Sequence, residues 1–328
     1  MAKLSLKKGI FFFFYNFIVV CVFILIGEFI VRLFVPSIQP QGSDRKLFEE
    51  NRYYNSIGLA PLSKGYSNGK LVGVDQYGFR VTSSKIDTSK NSWLLIGDSV
   101  TMGIGVESDS TFAGLIQKKE KNINILNPSV LGWGVYDYYN AVKYFIIKEK
   151  NKLKIDRAII FYCLNDLYSN QPNEEELSEI KNQFENILRF LRINSRLYIF
   201  LKNFISDRSK SYFEFDENFY LKNNKDFEKG IKVIKVINNY CNVENIDFVM
   251  IIVPYEYQLR KNNLQFKFSQ EKIKDALKDY NIKFYDSFDF FKSSKILSKK
   301  LFLYADGIHL SNSGHKLLAE YVQRILNL

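Results

Sequence analysis

The sequence predicts an α/β protein, a three-layer α/β/α sandwich around a central parallel sheet, preceded by one N-terminal transmembrane helix. Two observations carry the sandwich and one carries the helix. From Asn91 onward, short apolar runs such as "WLLIGDS", "INILN", "RAIIFYC", "DFVMIIVP" and "IKFYD" alternate with amphipathic stretches. Strands separated by helices of roughly 10–15 residues build βαβ units, which leave a parallel sheet covered on both faces. The run "AIIFYC" is almost continuously apolar, the pattern of a strand buried on both faces. The membrane helix rests on "GIFFFFYNFIVVCVFILIG", from Gly9 to Gly27, where Asn16 is the one strongly polar side chain.

A helix rises about 1.5 Å per residue, so this run is long enough to cross a bilayer core. Lys3, Lys7 and Lys8 precede it. By the positive-inside rule, residues 1–9 form a short cytoplasmic tail, 10–35 a signal anchor, and all that follows lies outside. A cleaved signal peptide is the competing reading. Against it, the run is long for a signal core and no small-x-small site follows. Cys21 comes after "IVV" inside the apolar run, which does not suit lipidation. Glu28 and Arg32 share a helical face, where they either pair or snorkel separately to the interface.

Residues 36–90 are polar and turn-rich, with "PLSKGYSNGK" as their loosest part, and read as a juxtamembrane connector with little core of its own. Residues 91–328 form the globular domain. Helices are expected from about Thr111, Asp137 and Gln270, and a last one carries Leu317, Leu318, Tyr321, Val322, Ile325 and Leu326 at helical spacing. One insertion interrupts the alternation, at about 168–224. It is too long for a simple loop and reads as helices over the sheet, in the manner of a lid.

Composition narrows the function classes. The net charge is +11, but the lysines are scattered and no zinc-finger, RNA-recognition or basic-zipper pattern occurs, so nucleic acid is not an expected partner. Three cysteines, Cys21, Cys163 and Cys241, include no CxxC pair, and no metal or organic cofactor is expected.

In a parallel α/β sheet, ligands bind beyond the C-terminal strand ends. Three such ends carry chemistry-bearing residues. "WLLIGDSVTMGIGV" places Ser99 at a strand end before a glycine-bearing turn. It lacks the lysine of a Walker loop, the third glycine of GxGxxG and the flanking glycines of a nucleophile elbow. What remains is a hydroxyl facing a cleft, or an ordinary turn serine. "INILNPSVLGWGV" places Gly132 and Gly134 just past a strand, where backbone N–H groups can approach a ligand or simply make a turn. "AIIFYCLNDLY" delivers Asn165 and Asp166, either an amide for an oxyanion or a loop-capping pair.

The chain's two histidines both lie in "YADGIHLSNSGH". Asp306 precedes His309 by three residues with Gly307 between, so a tight turn brings the carboxylate to Nδ1 and leaves Nε2 for a nucleophile. His315 has Asn312 at that spacing and falls in the first turn of the last helix, capped by Ser311 or Ser313, which marks it as a packing residue.

With Ser99, Gly132, Asn165 and His309 in this order, the chain resembles the SGNH (GDSL-type) hydrolase superfamily. "GDSVTMGIGV", "NPSVLGWGV", "CLND" and "DGIHLSNSGH" are similar to its four blocks, with Cys163 and Ser129 standing where the family usually has glycine. The resemblance covers roughly Ser92 to Leu328 apart from the insertion. It implies a flavodoxin-like SGNH fold and acyl transfer through a serine ester. Ser99 would be nucleophile and His309 base, with Asp306 as its carboxylate and an oxyanion hole of the Ser99 and Gly132 backbone N–H groups with the Asn165 amide. "VDQYGFRV" looks like an element of membrane-anchored members, which remove or transfer acyl groups in cell-surface polysaccharide assembly. The expected substrate is an acylated small molecule, lipid or glycan. Ester hydrolysis, O-acyl transfer and non-catalytic glycan binding are the three readings, and the presence of both nucleophile and base favours the enzymes.

Overall fold

A computed structural model describes residues 2–82, 84–167, 179–222, 224–260 and 264–327. The first part of the expected insertion, 168–178, therefore lies outside the described residues. The chain divides into two compact units, Met1–Gln41 with Leu177–Asp207, and Gly42–Glu176 with Arg208–Leu328.

The second unit holds the sheet. Five parallel strands, β5 (Asn91–Gly97), β6 (Ile123–Leu126), β7 (Ile155–Tyr162), β8 (Asp247–Ile252) and β9 (Lys283–Asp286), lie in the order β6-β5-β7-β8-β9. The order reverses between β5, which pairs first with β6, and β7 on its other side. With right-handed crossovers, helices before and after that reversal fall on opposite faces. Thus α3 (Phe112–Lys119) packs with α14 (Asn312–Ile325), and α4 (Val135–Lys148) packs with α9 (Asn224–Val243). The other helices of this unit are α2 (Ser99–Met102), α5 (Lys150–Leu153), α8 (Arg208–Lys222), α10 (Glu256–Arg260), α11 (Phe268–Leu277), α12 (Phe288–Ser293) and α13 (Ser298–Leu301). Leu94, Leu95 and Ile96 of β5 and Ile159, Ile160 and Phe161 of β7 are wholly buried. Each such side chain contributes about 1.5–3 kcal/mol on leaving water.

The segment 36–90 departs from expectation. It forms two antiparallel hairpins, β1 (Phe48–Tyr53) with β2 (Ser56–Leu59) and β3 (Lys64–Ser67) with β4 (Lys70–Gly73). Leu47, Tyr53, Leu59, Val72, Val74 and Phe79 bury themselves in the main core rather than making a loose connector. The strands are too short for their alternation to stand out among turn residues, yet Tyr53 alone meets Trp133, Tyr144 and Phe145 edge-on or tilted.

The first unit contains α1 (Ala2–Phe34), α6 (Glu179–Asn194) and α7 (Arg196–Ile205). Within α1, Lys8–Phe34 is long and apolar enough to span a membrane or serve as a signal anchor. Within the described part of the insertion, α6 and α7 belong to the unit of α1, whereas α8 belongs to the unit of the sheet.

Candidate active site

Both strands that flank the reversal point end in the site. At the end of β5, Asp98 caps α2, its Oδ1 accepting from Val100 N at 2.8 Å. The turn is tight enough that a Cβ on Gly97 would lie 2.0 Å from Thr101 Oγ1, which requires glycine. Ser99 opens α2 with 8% of its surface exposed. Buried Arg80 braces the following turn, its guanidinium donating to the carbonyls of Met102, Gly103 and Val106. Burial lowers the Arg80 pKa to about 10 against a small opposing pull from Glu107, so the group stays charged.

The other half of the site lies in a closed loop. Phe302 bridges Leu310 and Leu303 N donates to His309 O at 2.8 Å, forcing the intervening residues through left-handed backbone at Ala305 (φ 54°) and Gly307 (φ 92°). Asp306 Oδ1 accepts from Ile308 N at 3.0 Å, His309 N at 2.9 Å and His309 Nδ1 at 2.8 Å. His309 Nε2 then stands 2.8 Å from Ser99 Oγ. A proton on Nδ1, held by the carboxylate, leaves Nε2 as an acceptor for the serine hydroxyl.

The electrostatics agree. Burial works to raise the Asp306 pKa, but the charge and hydrogen bonds of His309, with Arg208, hold it well below the usual carboxylate range. Burial works to lower His309, but Asp306, with help from Asp98, raises it above its ordinary 6.5.

The β7 end supplies the amide. Asn165 lies in a 3-10 turn, Leu164–Leu167, where Asp166 Oδ2 accepts from Cys163 N at 2.6 Å. Burial, then repulsion from Asp98, pushes the Asp166 carboxyl up. Asn165 Oδ1 accepts from the Tyr255 hydroxyl at 2.8 Å, and Nδ2 donates to Asp98 Oδ2 at 3.3 Å. A donor on one side and an acceptor on the other fix which way the amide faces. Asp98 Oδ2 also lies 3.1 Å from Ser99 Oγ, so Asn165 and Ser99 share one carboxylate oxygen. Gly132 turns with φ 79° before α4, and a Cβ there would meet nothing within 4 Å.

Ser99, Asp306 and His309 thus form one hydrogen-bonded chain, and Asn165 joins it through Asp98. His315 is elsewhere in character: wholly buried, it accepts from Phe112 N at 3.2 Å through Nδ1 and stacks on the Phe112 ring. Sequence reading missed Arg80 as a brace of the turn after Ser99, and missed Tyr255 and Asp216, whose Oδ2 lies 2.7 Å from the Tyr255 hydroxyl. The clue for Tyr255 was its position just past β8, itself a strand end; nothing distinguished Asp216 within "FEFDENFY". No cluster of three or more His, Cys, Asp or Glu suited to a metal occurs among the described residues.

A strand-end serine coupled to a histidine–aspartate pair on a flavodoxin-like sheet defines a serine hydrolase of the SGNH type. Residues 94–322 match the model of the family described as GDSL-like lipase/acylhydrolase, and the chain belongs to that family. It is a GDSL-type ester hydrolase. Among solved structures it is similar to a member of the lipolytic protein G-D-S-L family from Veillonella parvula DSM 2008, at 14% identity over 72% of this chain and 98% of that one, TM-score 0.41. It is also similar to the acetyl xylan esterase AlAXEase, at 14% identity over 72% and 99%, TM-score 0.45. A third is the lipase/acylhydrolase from Enterococcus faecalis, at 14% identity over 72% and 95%, TM-score 0.42. No curated protein matches the chain.

Proposed function

We propose that the protein is a membrane-anchored, extracytoplasmic serine esterase that cleaves an ester through an acyl-enzyme, with O-acetyl groups on a cell-surface glycan as the substrate class. The observation that carries the chemistry is the pair of 2.8 Å links from Asp306 to His309 and from His309 to Ser99. His309 Nε2 takes the Ser99 proton as Oγ attacks the ester carbonyl. The carbonyl oxygen becomes an oxyanion, received by the Ser99 and Gly132 backbone N–H groups and Asn165 Nδ2. The C–O bond to the alcohol then breaks, and His309 returns the proton to the departing oxygen. Water, deprotonated by the same imidazole, releases the acid and restores Ser99.

Anchoring is supported by the apolar run Lys8–Phe34. Lys3, Lys7 and Lys8 ahead of it favour a cytoplasmic N-terminus, which supports reading the catalytic unit as extracytoplasmic. The substrate class is supported by that location.

Fluorophosphonate labelling of the full chain, with peptide mapping, tests the nucleophile. Modification at Ser99 is expected, and Ser99→Ala should lose both the label and p-nitrophenyl acetate turnover. Turnover equal in the two proteins would remove the esterase reading.

A further inference from the structure

The first unit exposes a surface that catalysis does not use. Between Asn186 and Ile205 there are four cations, Arg189, Arg192, Arg196 and Lys202, and no acidic residue. On α7, Leu201, Phe204 and Ile205 are 50%, 72% and 87% exposed at i, i+3, i+4 spacing, so they share one face. On α6, Ile187 and Phe190 are likewise exposed. This face is tied to α1 near the end of its apolar run. Glu28 accepts from Ser195 Oγ at 2.9 Å and from the Arg196 and Leu197 N–H groups at 3.0 Å, capping the positive end of α7. Arg32 closes the joint, donating to Asn194 O at 2.9 Å and to Glu28 at 2.6 Å. A Cβ on Gly27 would lie 3.0 Å from Leu197 Cδ2, so small size there admits the close approach.

We propose that α7 and the end of α6 form an interfacial membrane-binding element that lays its apolar face into an anionic bilayer beside the anchor. The proposal rests on the reading of α1 as a membrane span. A helix fixed where a span leaves the membrane, apolar on one face and purely basic in charge, matches the composition of helices that lie in the headgroup boundary. The occupant is lipid because the surface continues from α1, whose apolar side chains are themselves exposed.

The test uses the full chain reconstituted in phosphatidylglycerol vesicles containing brominated lipid. Tryptophan emission added by Phe204→Trp and by Phe190→Trp is expected to be quenched, as that of Phe17→Trp in α1 should be, while that of Leu297→Trp is not. Quenching at Phe17→Trp without quenching at Phe204→Trp overturns the proposal and leaves the span intact. Absence of quenching at both overturns the span and the proposal together. Emission at Phe204→Trp shielded from aqueous iodide but untouched by brominated lipid assigns the face to a protein and also overturns it. Equal quenching in phosphatidylcholine vesicles overturns the preference for anionic lipid.

A different observation carries a second inference, which rests on Asn165 as an oxyanion donor. The buried Tyr255 hydroxyl lies 2.8 Å from Asn165 Oδ1 and 2.7 Å from Asp216 Oδ2 on α8. From the same helix, the Tyr220 hydroxyl donates to Leu164 O at 2.9 Å, next to Asn165, and Ser209 lies against Gly307. We infer that Tyr255 is a positioning residue whose single hydroxyl proton is shared, in a three-centre hydrogen bond, between Asp216 Oδ2 and Asn165 Oδ1, and which so aims Nδ2 of Asn165 at the developing oxyanion. Tyr255→Phe should lower kcat about tenfold, the worth of one hydrogen bond, with KM unchanged. In an Asn165→Ala background the same change should cost nothing further. A full additional loss there, or an effect on KM alone, overturns the positioning role. Wild-type turnover by Asn165→Ala would instead remove the donor reading itself.

Discussion

His309 and His315 sit six residues apart, one in the strained loop before α14 and one in its first turn, and the fold drives their chemistry in opposite directions. His309 faces a carboxylate and a serine, and its pKa is raised. His315 faces a phenylalanine ring and a backbone N–H, and its Nε2 is buried without a hydrogen-bond partner. Burial, then the nearby Arg80 and His309, lowers its pKa to about 3. Identical side chains on one short peptide become a titrating base and a permanently neutral spacer. What decides is the Asp306 carboxylate, which overcomes burial at His309, whereas at His315 burial prevails and Arg80 adds to it.

The largest test of this contrast removes the base. His309→Ala should cut kcat by about 10⁶-fold, as loss of a triad histidine does elsewhere, in a protein that still unfolds cooperatively. Next, Asp306→Asn should cost about 10⁴-fold by favouring the wrong imidazole tautomer. That variant should also move the acid limb of its residual kcat/KM profile to lower pH, because the charge that raises His309 is gone. The wild-type limb should lie above pH 6.5, with activity rising as His309 loses its proton. A wild-type limb at or below 6.5 would separate the imidazole from Asp306.

His315→Phe is the smaller test. Turnover should stay within about tenfold of wild type, and stability at neutral pH should fall by about 1–3 kcal/mol as Phe112 N–H loses its acceptor. The two histidines also carry opposite pH signs. With its folded pKa raised, His309 contributes stability that is present below 6.5 and lost as pH rises through the folded value. With its folded pKa depressed, His315 opposes protonation, so its contribution is present above 6.5 and lost as pH falls toward about 3. In urea titrations, His315→Phe should therefore flatten the decline below pH 6.5, which this group steepens by up to about 1.4 kcal/mol per pH unit. An unchanged slope would assign that decline to other groups.

The same contrast marks what the sequence made legible. Asp306 and His309 could be read because their partnership is local, three residues spanned by one turn. Ser99 and Asn165 could be read because βαβ alternation gathers strand ends on one edge of the sheet. Tyr255 and Asp216 could not, since their value lies in a contact between β8's far end and an inserted helix, and neither spacing nor composition encodes it. The hairpins of residues 48–73 were obscured for a related reason: strands of four to six residues among glycines and serines look like linker until Tyr53 and Phe79 are seen inside the core. Glu28 was legible as the partner of Arg32, though not as the cap of a helix some 170 positions later in sequence.

Arg80 carries a practical corollary. Because its three carbonyl contacts staple the peptide behind Ser99, a shortened enzyme designed to begin at the first sheet strand would discard the staple and both hairpins with it. Truncations intended to remove α1 should start no later than Gly42, and shorter fragments are expected to emerge as insoluble or inert material.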